Sequence, residues 1–414
     1  MSNFKDNYNV KGVKHVFLPD IFFWQYVEKE FKSLMNVYCY NEIKLPIIEK
    51  TFLFSGCLGH NSDIIKKEMF SFKDNNERNL TLLPEGTSSC LKSLSFEGSL
   101  RNFQKQNVWY FSPMFRKENP QKGRNRLFYQ IGIESFGSKS FRIDLEHVII
   151  INKLFKILKI NNIVLEINYI DNSKNSRYKK ILNSYIKNKN ISNFKQGDFS
   201  FNSLIVLDKI DKIVFNDVPA SIDYLNNNKK SVFIKILYFL KILNIFFVVN
   251  KFLVRGLEYY NDLVYEWTTN IDNRELTICA GGRYDNLSKR FGEFTYATGC
   301  AFGLERVILS LKNNLKKKNH LLILFENNIP ILNIIFLKEF IINEFKHLNI
   351  NVDFIKSSFD QKIKKIKKKG VSFILFINRI KIKEKKAIFI FQKKYKIVHF
   401  SKLSRYIWKE KLNF

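Results

Sequence analysis

The sequence predicts two domains of different class, an α+β domain over residues 1–315 and a smaller α/β domain over 320–414. Three observations carry the prediction. Phe111 to Gly137 reads FSPMFRKENPQKGRNRLFYQIGIESFG: a strand, a basic loop around a Pro-Gln-Lys-Gly turn, and an alternating return strand. Leu315-Lys-Lys-Lys-Asn319 is a polar, charged linker. From His320 short apolar runs alternate with helical periods, which implies a mostly parallel sheet with crossover helices. A chain of 414 residues can bury a large core and divide in this way.

Taken in order, residues 1–20 lack the apolar core of a signal peptide, which predicts a cytoplasmic protein. Ile21 to Tyr38 places Phe23, Tyr26, Val27, Phe31 and Leu34 at amphipathic helical spacing. Glu42 to Glu49 reads as a short strand with Pro46 near its middle. Proline removes a ladder donor, so this strand belongs at a sheet edge or a subunit contact. Phe70 to Phe72 and Leu80 to Leu83 are short strands around a polar turn, and Pro84-Glu85-Gly86-Thr87 follows. That carboxylate and hydroxyl suit an ammonium group, or they cap the helix Thr87 to Leu94. From the residues alone, capping is the better reading.

After the basic hairpin, Asp144 to Leu158 is a helix and Val164 to Ile170 a strand. Residues 171–230 are rich in Asn, Lys and Ser and read as a small helical insertion. Val232 to Val249 is apolar but interrupted by Lys235, Lys241 and Asn244. It reads as a helix over 231–243 running into a buried strand, Phe246 to Asn250, and not as a membrane span. Leu276 to Ala280, Gly299 to Phe302 and the helix Leu304 to Leu311 close the first domain. The second should run strand 321–325, helix Ile334 to Leu348, strand Asn351 to Ile355 and helix Phe359 to Lys369. Strands Phe373 to Ile377 and Ala387 to Phe391 and a last helix complete it. The Lys-rich helix 361–369 suits RNA phosphates or a solvated face equally.

Composition sets wider bounds. Sixty-nine Lys and Arg against 38 Asp and Glu leave a net charge of +31, which favours polyanions and nucleic acid first. The chain is also crowded with Lys, Asn, Ile and Phe throughout, so the charge permits RNA binding without locating it. Five scattered cysteines with no C-x-x-C argue against a zinc knuckle or a disulfide framework and fit a reducing cytosol. No motif predicts a protein-held metal.

The hairpin gathers Arg116, Lys122, Arg124 and Arg126, and its return strand puts Phe128, Gln130 and Glu134 on one face. An aromatic plate, an amide and a carboxylate thus oppose a guanidinium, a wall suited to a nucleotide and a small amino-bearing substrate. A solvated basic hairpin would not call for those three residues at even spacing on one strand face.

The pattern R-x-E-x-P-Q-x-G-R-x-R-x-F-x-Q-x-x-x-E from Arg116 to Glu134 resembles motif 2 of the class II aminoacyl-tRNA synthetases, in the histidyl form. Leu253 to Trp267 (LVRGLEYYNDLVYEW) is similar to the histidine-specific signature of that family. Ala280 to Leu287 with Gly299 to Val307 (GCAFGLERV) is similar to its second signature and motif 3. The resemblance implies an antiparallel sheet flanked by helices, a C-terminal α/β anticodon-binding domain, and a homodimer through the first helix and the proline-bearing strand. It implies ATP with Mg2+, L-histidine and the tRNA for histidine as ligands, and a histidyl-adenylate intermediate.

Residue by residue, Arg116 and Arg255 match the catalytic arginines that grip the α-phosphate from two sides. Phe128, Glu118 and Arg306 match the adenine and γ-phosphate contacts. Glu85, Gly86, Thr87 and Gln130 match the holders of the amino group, Glu134 and Tyr260 the imidazole contacts, and Tyr259 and Tyr284 the pocket wall. Gly281-Gly282 would permit close backbone approach to a ligand. Gln121, Arg124 and Arg126 would reach the acceptor end of the tRNA. The chain departs from the family pattern at His15, His60, Asn119 and Glu258, none of them a proposed catalytic group. A regulatory paralogue that binds histidine without catalysis would lack the second domain and lose these arginines.

Overall fold

The computed structural model describes residues 9–17, 20–59, 62–100, 104–173, 176–189, 203–209, 217–257, 259–272, 274–292, 294–311, 320–326, 329–344, 349–354, 373–391 and 394–403. The chain divides into two compact units, Met1–Asn314 and Leu315–Phe414.

The described part of the first unit opens with α1 (Asp20–Val37), β1 (Asn41–Glu42), β2 (Ile48–Lys50), α2 (Thr51–Leu58), β3 (Ser71–Lys73), β4 (Asn79–Leu82) and α3 (Thr87–Phe96). The hairpin β5 (Gln106–Phe115) and β6 (Leu127–Phe136) follows, then α4 (Phe141–Ile157) and β7 (Ile163–Tyr169). Next come α5 (Arg177–Asn188), α6 (Ser203–Lys209), α7 (Asn227–Ile242), β8 (Phe247–Val249), β9 (Leu263–Ile271), β10 (Arg274–Arg283), β11 (Ala297–Gly303) and α8 (Leu304–Leu311).

One eight-stranded sheet, in the order β1-β5-β6-β11-β10-β9-β7-β8, organises the unit. Its inner pairs are antiparallel, and only the outermost pairs, β1–β5 and β7–β8, are parallel. Helix α1 buries Val27, Phe31, Leu34 and Met35, one stripe at helical spacing. Phe31 packs edge-on against Trp109 of β5 and Phe302 of β11, each at 5.5 Å. Burying a side chain of this size stabilises by about 1.5–3 kcal/mol, so the stripe is enough to hold the helix on the sheet. Helix α4 starts at Ser140, whose hydroxyl accepts the Arg142 N–H. It sets Phe155 edge-on to Trp267 of β9 at 5.8 Å.

Two expectations about this unit need correcting. The proline-bearing strand lies at a sheet edge as expected, but it is two edge strands in two sheets: β1 pairs with β5, while β2 pairs with β4 in a separate sheet of order β2-β4-β3. Proline at 46 cannot continue a ladder, and the chain changes sheets across it. The strand after α7 is not buried: β8 is the sheet's far edge, and Val248 and Val249 are exposed. No described helix is long and apolar enough to cross a membrane. The described part of the segment over 171–230 holds helices α5 and α6, a short helical turn over Ser221–Tyr224 and the start of α7. Tyr178, Leu182 and Ile186 of α5 and Leu204 and Leu207 of α6 join the core that also holds Leu253 and Val254.

The second unit contains β12 (His320–Phe325), α9 (Ile331–Glu344), β13 (Asn349–Phe354), β14 (Phe373–Ile377), α10 (Arg379–Lys383), β15 (Lys386–Phe391) and β16 (Lys394–His399). Its sheet order is β13-β12-β14-β15-β16. The pairs of β12 with β13 and β14 are parallel, but β14–β15 and β15–β16 are antiparallel, so the sheet is mixed and not mostly parallel. Between β14 and β15 there is room only for the five-residue α10, capped by Asn378 accepting the Lys381 N–H. A parallel return needs a longer crossover, and the chain turns back instead. Residues 394–399 form a strand that the sequence reading did not include. The expected helix 359–369 and the end of the chain lie outside the described residues, as do Leu18, Pro19, His60 and Glu258. Leu321, Ile323, Phe325, Ile341, Phe373, Leu375 and Phe389 form this unit's core.

Candidate active site

The hairpin β5–β6 runs in register from Gln106 opposite Phe136 to Phe115 opposite Leu127. Strand alternation sends Phe128, Gln130 and Glu134 to one face, as the spacing predicts. That face looks into a cavity of about 400 Å³, also lined by Glu85, Thr87, Tyr110, Arg116, Arg255, Tyr259, Tyr260 and Arg306. Its two ends differ in chemistry.

The inner end is buried and internally bonded. Glu134 is 1% exposed. One of its oxygens accepts the Thr87 hydroxyl at 2.8 Å, and the other accepts the hydroxyl of Tyr284. Burial pushes its carboxyl up to about 8, against the pull of the Tyr284 and Thr87 hydrogen bonds, and nearby Glu85 adds to the rise. Glu85 accepts the backbone N–H of Thr87 at 2.8 Å and of Ser88 at 3.0 Å. The helix-capping contact is therefore made, and the same carboxylate still lines the cavity. The Oε1 of Gln130 is buried with no hydrogen-bond partner among the described residues, an acceptor open to a ligand's N–H. Tyr259 and Tyr260, with ring centroids 4.7 Å apart, pack against Tyr284 at 5.5 and 6.2 Å.

Three guanidinium groups converge on the outer end. Arg116 donates from Nε to the Pro84 carbonyl at 2.9 Å, and its guanidinium lies over the Phe128 ring at 5.3 Å. Arg255 is paired with Glu266, a carboxylate that also accepts the Thr277 hydroxyl at 2.9 Å. Arg306 donates to the carbonyls of Gly123 at 3.0 Å and Thr277 at 2.6 Å. Burial, with Arg124, Arg116 and Arg255 nearby, pushes Arg306 down to about 10, so it stays charged at neutral pH. Fixed cations held close together against their repulsion suit a polyanion, which relieves that repulsion when it binds.

Not every expected residue lines the cavity. Glu134 and Tyr284 stand just behind its wall, and Gly86 lies between two lining residues. Gln121 and Arg126 do not line it. Gln121 closes the loop on Arg124 through paired backbone hydrogen bonds of 3.0 and 2.9 Å, and Arg126 donates its backbone N–H to Gly12. Arg124 does line it and reaches Glu118 at 3.4 Å. The glycine pair serves the sheet. A Cβ on Gly281 would meet the Cβ of Cys300 at 2.3 Å, and one on Gly282 the Leu263 carbonyl at 2.4 Å.

The sequence reading missed Glu266, Glu305 and Tyr110. Glu305 accepts the Tyr129 N–H at 3.0 Å and is pushed up to about 7 by burial. Glu266 is the lone carboxylate of an otherwise apolar or neutral strand, a signal that could have marked it. Among the described residues no three of His, Cys, Asp and Glu converge to hold a metal.

This fold and cavity define a class II aminoacyl-tRNA synthetase. A family model described as histidyl-tRNA synthetase matches residues 13–174 and 231–307. A curated histidine–tRNA ligase of Buchnera aphidicola (subsp. Baizongia pistaciae) is 42% identical over 360 residues, covering 84% of this chain and 80% of that protein. One from Francisella tularensis subsp. holarctica is 36% identical, covering 89% and 91%. The crystal structure of S. aureus apo histidyl-tRNA synthetase matches with a TM-score of 0.70 at 23% identity, over 96% of this chain and 98% of that one. The chain belongs to the histidyl-tRNA synthetase family.

Proposed function

We propose that this chain activates L-histidine with ATP and passes the histidyl group to the 3′ end of its tRNA. The observation that carries this reading is the cavity's polarity, with Glu134 held by Thr87 and Tyr284 at one end and Arg116, Arg255 and Arg306 at the other.

Histidine enters with its ring toward Glu134 and Tyr260. Selecting imidazole requires polar groups that would be left without partners by an isostere, and buried groups make that rejection severe. Gln130, Glu85 and Thr87 receive the ammonium group. The carboxylate then points to the arginines, where an oxygen attacks the α-phosphorus of ATP and pyrophosphate leaves. Arg116 and Arg255 hold the α-phosphate, Arg306 the γ-phosphate, and Phe128 stacks on adenine near Glu118. Positioning and charge neutralisation are what such a phosphoryl attack needs from a protein. Mg2+ would come with ATP as part of the substrate. In the second step the terminal ribose hydroxyl attacks the histidyl carbonyl and AMP leaves. Gln121, Arg124 and Arg126 lie on the loop we assign to the acceptor end, since Arg and Gln forks suit base edges.

We assign residues 1–315 to catalysis, with a small helical insertion over about 171–230, and 320–414 to the anticodon. The family match leaves out 175–230, which supports the insertion. A cytoplasmic homodimer is the expected assembly. Ile48 of β2, Phe52 of α2 and Phe72 of β3 are 49%, 83% and 43% exposed, apolar surface of the kind a second copy covers. A regulatory paralogue fits less well, because all three arginines and the α/β unit are present.

The test is histidine-dependent exchange of labelled pyrophosphate into ATP without tRNA, run against the other amino acids. Exchange with histidine alone is expected. Histidine binding without exchange would overturn the enzymatic reading.

A further inference from the structure

Tyr110 has a place in the cavity that none of the motifs explains. It sits on β5 directly opposite Gly132 of β6, and it is 1% exposed while lining the cavity. Its phenol head is slotted between two glycines. A Cβ on Gly86 would lie 2.3 Å from Tyr110 Cζ, and a Cβ on Gly132 would lie 2.3 Å from the same atom and 2.4 Å from the hydroxyl. Atoms do not approach that closely, so any side chain at either position would displace the ring. Neither glycine has a positive φ, so what they supply is space and not backbone freedom.

The neighbours of those glycines are the polar groups of the pocket. Gly86 stands between Glu85 and Thr87, and Gly132 lies midway between Gln130 and Glu134 on the same strand face. The Tyr110 head therefore occupies the ground between the groups assigned to the ammonium end and the carboxylate assigned to the ring end. Burial, with Glu134 and Glu85 close by, holds the phenol far above its ordinary range, so it stays neutral.

We propose that Tyr110 is a specificity-determining residue, the floor beneath the substrate's β-carbon that fixes the distance between its amino and imidazole anchors. The inference rests on the histidine reading above. A hydrophobic floor discriminates by one methylene at about 10–200-fold, the scale to look for here. Removing the ring would leave a void under the β-carbon and let a longer side chain sink into it.

The test compares wild type, Tyr110→Phe and Tyr110→Ala in pyrophosphate exchange with histidine and with homohistidine, one methylene longer. Tyr110→Phe keeps the ring and is expected to keep the histidine KM within about 3-fold. Tyr110→Ala is expected to raise that KM about 10–100-fold, leave the ATP KM unchanged, and cut discrimination against homohistidine at least 10-fold. Equal rises in both KM values, or unchanged discrimination, would reduce Tyr110 to a structural role and overturn the proposal. If Tyr110→Ala does not fold by circular dichroism, Tyr110→Leu, which retains apolar bulk, decides by the same measurement. Absence of exchange in the wild type would instead overturn the histidine reading, and this one with it.

Discussion

The two ends of the cavity solve opposite electrostatic problems. At the inner end Glu134 and Glu85 are buried carboxylates, raised by desolvation and satisfied by donors from Thr87, Ser88 and Tyr284. At the outer end Arg116, Arg255 and Arg306 are tied to carbonyls or to Glu266, so their direction is set before any ligand arrives. Burial of satisfied polar groups yields selectivity, because a wrong ligand strands them. Convergence of fixed cations yields rate, because they need not reorganise as charge moves. On the proposed function, recognition and chemistry would divide between the two ends by the sign of the groups each one holds, carboxyls at the inner end and guanidiniums at the outer.

Breaking the outer end should have the largest effect. Arg255→His is expected to slow adenylate formation by about 10²–10³-fold, measured in single-turnover quench, while histidine binding by equilibrium dialysis changes little. Matching losses in the two would erase the distinction between the ends. Breaking the inner end should do the reverse. Glu134→Gln keeps shape but puts an amide where the carboxyl is held by Thr87 and Tyr284, and a rise of about 10–100-fold in histidine KM with a small change in kcat is expected. An unchanged KM would take Glu134 out of recognition.

A smaller effect sharpens the picture. Thr87→Val deletes one donor to Glu134 and should raise histidine KM about 3–10-fold while leaving the ATP KM alone. A shift in the ATP KM instead would place Thr87 at the wrong end.

The smallest signal is in stability against pH. Glu134 titrates at about 8 in the folded chain against an ordinary 4.5, so between those values the unfolded chain releases a proton that the folded chain keeps. Stability from this group must therefore fall as pH rises through that window. Chemical denaturation at pH 5 and pH 8 should show a steeper loss for wild type than for Glu134→Gln. Parallel curves would mean that the carboxyl is not held neutral in the fold.

Much of this was legible in the chain. Period-two spacing placed Phe128, Gln130 and Glu134 on one wall, and the alternation after His320 marked a second domain. Other readings failed where a local signal has two outcomes. The apolar run 246–249 reads the same whether its strand is central or, like β8, an edge. The segment from 42 to 49 looked continuous, but whether a proline interrupts one strand or divides two sheets depends on partners distant in sequence. The pair Gly281-Gly282 suggested a ligand, and it is the close approach of Cys300 and Leu263 that requires it.

By itself the sequence determined which polar groups share a face and in what order the hairpin presents them, because alternation along a strand is a local geometric rule. It also determined the family, through three ordered blocks. The tertiary structure alone decided that Glu134 is held near neutrality, that Glu85 both caps a helix and faces the cavity, and that Tyr110 fills the gap over Gly86 and Gly132. Those outcomes depend on burial and on approaches of a few ångströms between strands far apart in the chain, and no local pattern encodes them.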